Sequence, residues 1–134
     1  MESNINQVRI KKRELLENFI KETKKNINLQ SPKSFFVIDI TGCLFFLNPA
    51  CTSLTGYTME EAKLLSFLKL VSLDDIHKVY NHYLKTVEGH TQSFDCKIIN
   101  KNGKCIDIHM RNFPIIVDGE FVGVYGIANK LSNL

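Results

Sequence analysis

The chain predicts an α+β domain built on antiparallel strands, and three observations predict it. Residues 93–99 and 105–113 each alternate apolar and polar side chains around a Gly-containing loop. Between Ile76 and Val87, apolar residues recur at helical spacing. Further upstream, two apolar runs, 34–40 and 43–47, meet at Thr41-Gly42. With 134 residues and 44% hydrophobic content, the chain suits one domain with a single core. No apolar stretch approaches the roughly 18 residues of a membrane span, because Asp39, Gly42 and Asn48 interrupt the richest region. The amino terminus lacks an apolar secretory core, which reads as a cytoplasmic protein.

In chain order, the first 25 or so residues read as a helix. Ile5, Val8, Leu15 and Phe19, joined by Leu16 and Ile20, form an apolar stripe at helical spacing. The stripe is too apolar for open water and must lie against something. A break follows from Asn26 to Pro32, since Pro32 disfavours helix at Ser31. Residues 34–40 and 43–47 read as strands joined by a tight turn. Asn48 then suits an N-cap with Pro49 at the first helical position, and Gly56 suits the left-handed residue that ends the short helix. Thr58-x-x-Glu61 is a capping box for a second short helix. Ser72-x-x-Asp75 reads as another, opening the helix of Ile76, Val79, Tyr80, Tyr83, Leu84 and Val87 that Gly89 ends. His82 is expected to face solvent and His77 to sit on the border of the apolar arc.

The loop 101–104 fixes a register. A two-residue Asn102-Gly103 turn would set the apolar face of one strand beside the polar face of the other. A three-residue loop with Gly103 left-handed pairs 100 with 104 instead. Phe94, Cys96 and Ile98 then meet Met110, Ile108 and Ile106, while Lys97 faces Asp107 and Asp95 faces His109 on the other side. Asp118-Gly119 turns the chain again. Residues 121–128 are apolar on both faces (Phe121, Tyr125 and Ile127; Val122, Val124 and Ala128), so both faces are covered. One cover is the core, and the other is the leading helix, from this chain or a partner.

Residues 1–30 carry seven Lys/Arg and four Glu, and residues 31–134 carry ten of each sign, so the net charge of +3 belongs to the leading segment. No basic stripe for nucleic acid runs along the body. The four cysteines (Cys43, Cys51, Cys96, Cys105) lack C-x-x-C spacing and read as free thiols rather than a disulfide set or a zinc site. No phosphate loop, G-x-S-x-G or H-E-x-x-H supports catalysis, so no catalytic residue is assigned.

Over about residues 33–131 these features together resemble a PAS domain, the small sensory module of signalling proteins. The resemblance rests on Asp39-x-x-Gly42, Asn48-Pro49-Ala50, Leu54-Thr55-Gly56-Tyr57 with Glu60-Glu61, and Asp74-Asp75. It continues through Gly89, Lys101-Asn102-Gly103, Pro114-Ile115, Asp118-Gly119 and Gly123-x-x-Gly126-Ile127. Ser72-Leu73 replaces the family's usual His-Pro, and Asn129 stands where Asp is common. The resemblance implies a five-stranded antiparallel sheet of order 2-1-5-4-3, with short helices and one long helix on one face cupping a cavity. It divides the chain into a helix and linker for dimerisation and signalling (1–30) and a PAS domain (31–134). It also implies a non-catalytic sensor that forms a homodimer and regulates an attached histidine kinase or GGDEF/EAL output domain.

The inward sets of such a fold make Phe36, Ile38, Leu54, Phe67, Leu70 and Val79 pocket walls, with Tyr83, Phe94, Cys96, Ile98, Ile108 and Met110. Tyr83 and Asn112 are the polar groups expected to orient a ligand. The dimer interface is expected to combine Ile5, Val8, Leu15 and Phe19 with Phe121 and Tyr125. The position of the family's haem-ligating histidine maps to Val79, so haem is disfavoured. The stretch after Gly56-Tyr57 has no cysteine, so adduct-forming flavin is disfavoured too; the cofactor is otherwise unknown and non-covalent flavin stays open. The alternative function is a ligand-free dimerisation scaffold.

Overall fold

The computed structural model describes residues 2–26, 33–63 and 65–131. The break expected at Asn26 to Pro32 falls on 27–32, outside the described residues. Helix α1 (Glu2–Asn26) leads into strands β1 (Ser34–Ile38) and β2 (Leu44–Leu47). Three helices follow, α2 (Pro49–Thr55), α3 (Met59–Ala62) and α4 (Ile76–Val87), with single 3₁₀ turns at Phe67–Leu70 and Leu73–Asp75. Strands β3 (Gln92–Ile99), β4 (Cys105–Val117) and β5 (Glu120–Lys130) complete one antiparallel sheet of order β2-β1-β5-β4-β3.

Local chemistry explains the breaks. Strand β1 ends at Ile38 because the Asp39 carboxylate accepts bonds from the Thr41 and Cys43 amides (2.9 and 3.1 Å) and the Thr41 hydroxyl (2.6 Å), folding the chain over. Asn48, wholly buried, caps α2 through the Cys51 amide (3.0 Å) and also accepts from the Phe35 amide (2.9 Å), tying helix to strand. Thr58 and Glu61 form the reciprocal box that starts α3. The box expected at Ser72 does not form: Ser72 makes no side-chain capping bond. The Asp75 carboxylate instead accepts from the Lys97 amide at 2.7 Å, securing the start of α4 to β3.

The hairpin register is as expected. Phe94, Cys96 and Ile98 pair with Met110, Ile108 and Ile106, and the Asn100 amide donates to the Lys104 carbonyl at 2.9 Å around a left-handed Gly103. Strand β5 departs from simple alternation. Ile115 pairs with Gly123 and Ile116 with Phe121, so Val122 is an extra, bulged residue. The bulge reverses the parity of what precedes it. Phe121, expected beside Tyr125 on the outer face, packs instead with Val124 on the inner side, and Val122 joins Tyr125 on the outer side.

Helix α1 covers that outer face from within the same chain. Leu16 and Ile20 are its buried contacts, clustered with Phe35, Val37, Ile115 and Val122, while Leu15 and Phe19 are half-buried beside them. Gly123 makes the seat: a Cβ there would lie 3.1 Å from a Leu16 methyl and 2.6 Å from the Ile38 carbonyl oxygen. The amino-terminal half of the stripe is not covered, with Ile5 57% and Val8 51% exposed. Leu16→Ala should therefore cost about 2–5 kcal/mol of stability. Ile5→Ala should change the stability of the monomer by less than about 0.5 kcal/mol. Urea unfolding of the two variants checks the docking, and equal losses would contradict it.

Candidate functional site

The inner face of the sheet is cupped by α2, α3, the 3₁₀ turns and α4, and a cavity of about 60 Å³ lies between the sheet, α2, the Phe67–Leu70 turn and α4. All thirteen residues expected at the pocket stand in its wall. Phe36 and Ile38 come from β1; Leu54 from α2; Phe67 and Leu70 from a 3₁₀ turn; Val79 and Tyr83 from α4. Strand β3 supplies Phe94, Cys96 and Ile98, and β4 supplies Ile108, Met110 and Asn112. Leu44, Leu47, Cys51, Thr55, Val71 and Ala128 complete the wall and were not foreseen. For Leu44 and Leu47 a signal existed, since both lie in the apolar run 43–47; Thr55 carried none.

Helix α4 is rolled relative to its apolar arc. Tyr80, Leu84 and Val87 are exposed, whereas Val79 and Thr86 are buried. His82, expected in solvent, lies half-buried against the Phe94 ring, stacked at 4.1 Å between centroids and 3° between planes. Its Nδ1 meets the Gln92 Oε1 at 2.8 Å. The roll is physically open to a helix whose buried polar groups are satisfied: the Thr86 hydroxyl donates to the His82 carbonyl at 2.9 Å. Periodicity counts apolar residues and misses a histidine that stacks and bonds. His77 is exposed, and Val79, at the position of the family's haem ligand, is apolar and buried.

The wall is mostly hydrocarbon and its polar groups are few. Thr55 donates its hydroxyl to the Cys51 carbonyl at 2.9 Å. Burial pushes the Cys51 and Cys96 thiols up to about 12, so both act as apolar filler. Burial, and secondarily Asp39, Tyr80 and Cys43, raises the Tyr83 phenol and keeps it neutral; its ring lies 4.8 Å from that of Phe67. Asn112 is 6% exposed, and its Oδ1 has no hydrogen-bond partner among the described residues. Beside it, Gly126 leaves room for the Phe36 ring, which a Cβ at 126 would meet at 2.1 Å.

A second polar cluster lies on the opposite face of the β3–β4 hairpin. Ser93 Oγ stands 3.0 Å from His109 Nε2, and His109 Nδ1 stands 2.7 Å from Asp95 Oδ1. The Asp95–His109 pairing was legible in the register; Ser93 was not. Ser93 and Asp95 are exposed and His109 is half-buried, so the trio lies on the solvent side of the hairpin. Cys96 points to the other face, away from His109.

Two consequences can be measured. Native protein treated with a thiol reagent at pH 8 should label exposed Cys105 first. Cys51 and Cys96 should stay unlabelled until urea unfolds the chain, because a thiol pushed up to about 12 is ionised in roughly one molecule in ten thousand at that pH. Gly126→Ala should destabilise by about 1–3 kcal/mol by displacing Phe36. Adding Phe36→Leu should recover part of that loss; a neutral Gly126→Ala would contradict the packing.

Comparison with known proteins agrees with this geometry. The family described as PAS fold matches residues 44–128. No curated protein matches the chain. Among solved structures, a PAS domain from Colwellia psychrerythraea superposes with a TM-score of 0.74 at 20% identity, covering 84% of this chain and 97% of that one. A domain of a sensory box sensor histidine kinase/response regulator from Geobacter sulfurreducens gives 0.68 at 22%, over 83% and 94%. Drosophila melanogaster Cycle PAS-B with bound ethylene glycol gives 0.67 at 12%, over 73% and 99%.

Proposed function

We propose a sensory function for this chain, which belongs to the PAS family: it is a non-catalytic module that takes a small ligand in the cavity and relays occupancy through α1. The observation that carries this reading is that the same strands wall the cavity and seat the helix. On β1, Phe36 faces the cavity while Phe35 and Val37 pack under α1. On β5, Val124 belongs to the inner cluster while Val122 and Tyr125 belong to the outer one. A ligand that shifts Phe36 therefore acts on residues touching Leu16 and Ile20. It biases α1 only by the difference in its affinity for the two arrangements.

Homodimerisation through the uncovered part of α1 belongs to the same proposal. Ile5 and Val8, with half-buried Leu15 and Phe19 behind them, form an apolar strip left open along the helix. Tyr125 stacks on Phe113 and touches Phe19, so it lies at the edge of that strip. Phe121, on the inner side, has no part in it. The output is an attached kinase or GGDEF/EAL domain in a two-component or cyclic-dinucleotide pathway, in keeping with the histidine kinase origin of the Geobacter domain. A cytoplasmic location fits such an output, and none of the described helices is long and apolar enough to cross a membrane.

The cavity's size favours a second reading. About 60 Å³ is far below the roughly 300–1,000 Å³ of ordinary ligand pockets. Haem or flavin would need the cup to expand, and a ligand-free dimerisation scaffold needs no cavity. Ile5→Asp with Val8→Asp should turn a dimer into a folded monomer in sedimentation; an unchanged dimer refutes the α1 route. Native mass spectrometry of the purified chain separates sensor from scaffold by whether a small molecule is retained.

A further inference from the structure

Among the described residues, the cavity wall contains one buried polar atom without a hydrogen-bond partner. Asn112 faces inward in the row Phe36, Gly126, Asn112, Gln92, as the strand register requires. Neither side of that row offers its oxygen a donor. Gly126 has no side chain, and the Phe36 ring lies over it. Across on β3, Gln92 is already committed: its Oε1 meets His82 Nδ1 at 2.8 Å and its Nε2 donates to the Thr91 carbonyl at 3.0 Å. Asn112 lines the hydrocarbon cavity, and its Oδ1 is a buried acceptor with no donor among the described residues, a costly arrangement unless something donates to it.

We infer that Asn112 anchors a neutral ligand of about four or five heavy atoms, with an aliphatic body and one hydroxyl or N–H donor. The inference rests on the cavity reading above and specifies its ligand. Size follows from about 60 Å³, when one water-sized occupant needs roughly 10–15 Å³. Neutrality follows from a wall without Asp, Glu, Lys, Arg or His, where a charge would lose its hydration uncompensated. The need for a donor follows from the unpartnered oxygen. Small alcohols and short neutral amides carrying N–H meet all three requirements; ketones, ethers and hydrocarbons meet only the first two.

The test compares 2-butanol with 2-butanone, equal in heavy atoms and differing in the donor, by amide chemical-shift titration of the full chain. The alcohol should bind at least tenfold more tightly, with the largest shifts around Asn112, Phe36 and Gly126. In Asn112→Leu the preference should vanish while the ketone still binds. Equal affinities, or a tighter ketone, in the unaltered protein overturn the anchor and leave the cavity reading standing. Absence of saturable shifts with either probe overturns both. Because the comparison is made in the unaltered protein, it decides the matter even if Asn112→Leu fails to fold.

Discussion

The structure depends on one strand being buried twice. Strand β5 lies at the centre of the sheet; its inner face carries Val124 of the inner cluster and Ala128 of the cavity wall, and its outer face seats α1. Two close approaches make this possible, and both occur at glycines. Gly123 admits Leu16 from outside, and Gly126 admits the Phe36 ring from inside. A side chain at either position would hold its neighbour off the strand. The bulge at Val122 completes the arrangement by giving the outer face Val122 and Tyr125, where strict alternation would have put Phe121 beside Tyr125 and turned Val122 inward.

That arrangement explains why the molecule needs so many short elements on its inner side. A sheet face is wider than one helix, and α4 reaches mainly over β3, β4 and β5. The rest is closed by α2, α3 and the 3₁₀ turns, each held by a specific polar bond because none is long enough to be stable alone. Asn48 ties α2 to β1. The Lys101 amide donates to the Thr55 carbonyl at 2.8 Å, and its ammonium pairs with Glu61, joining the β3–β4 loop to α2 and α3. Asp75 ties α4 to β3. The cup is thus held together by a few specific polar bonds, and its cavity is what those pieces leave unfilled.

Much of this was legible from the residues. The β3–β4 register followed from apolar and charge matching, because a one-residue slip would have inverted every side chain at once. Of the expected cavity residues, those on β3, β4 and α4 followed from alternation and the helical repeat, whereas Leu54, Phe67 and Leu70 rested on the resemblance to the PAS fold. Among what escaped were polar groups whose partners lie far away in sequence. Ser72 looked like a cap, but Asp75 was drawn to the Lys97 amide, 22 residues on. His82 looked like a solvent residue, but the Phe94 ring and Gln92 receive it. The bulge at Val122 left no trace in the pattern of a strand apolar on both faces, since either parity reads the same.

Cavity size also limits the kind of switch this fold can be. Even very efficient small ligands gain about 1.5 kcal/mol per heavy atom. An occupant of four or five heavy atoms therefore binds with at most about 6–7.5 kcal/mol. Inverting a two-state equilibrium from 1:99 to 99:1 needs about 5.5 kcal/mol of difference between the states. Contacts made equally in both states contribute nothing to that difference. Dispersion contacts with a hydrocarbon wall are poor discriminators, since they survive small shifts of the sheet. A hydrogen bond to a buried, otherwise unpaired oxygen is a sharper one, because its geometry fails within a few tenths of an ångström and its loss costs about 1–3 kcal/mol. A difference near 2 kcal/mol is about thirtyfold in population. On the sensory reading proposed above, such a ligand would support a graded response rather than a complete inversion, with the bond to Asn112 as its most discriminating contact.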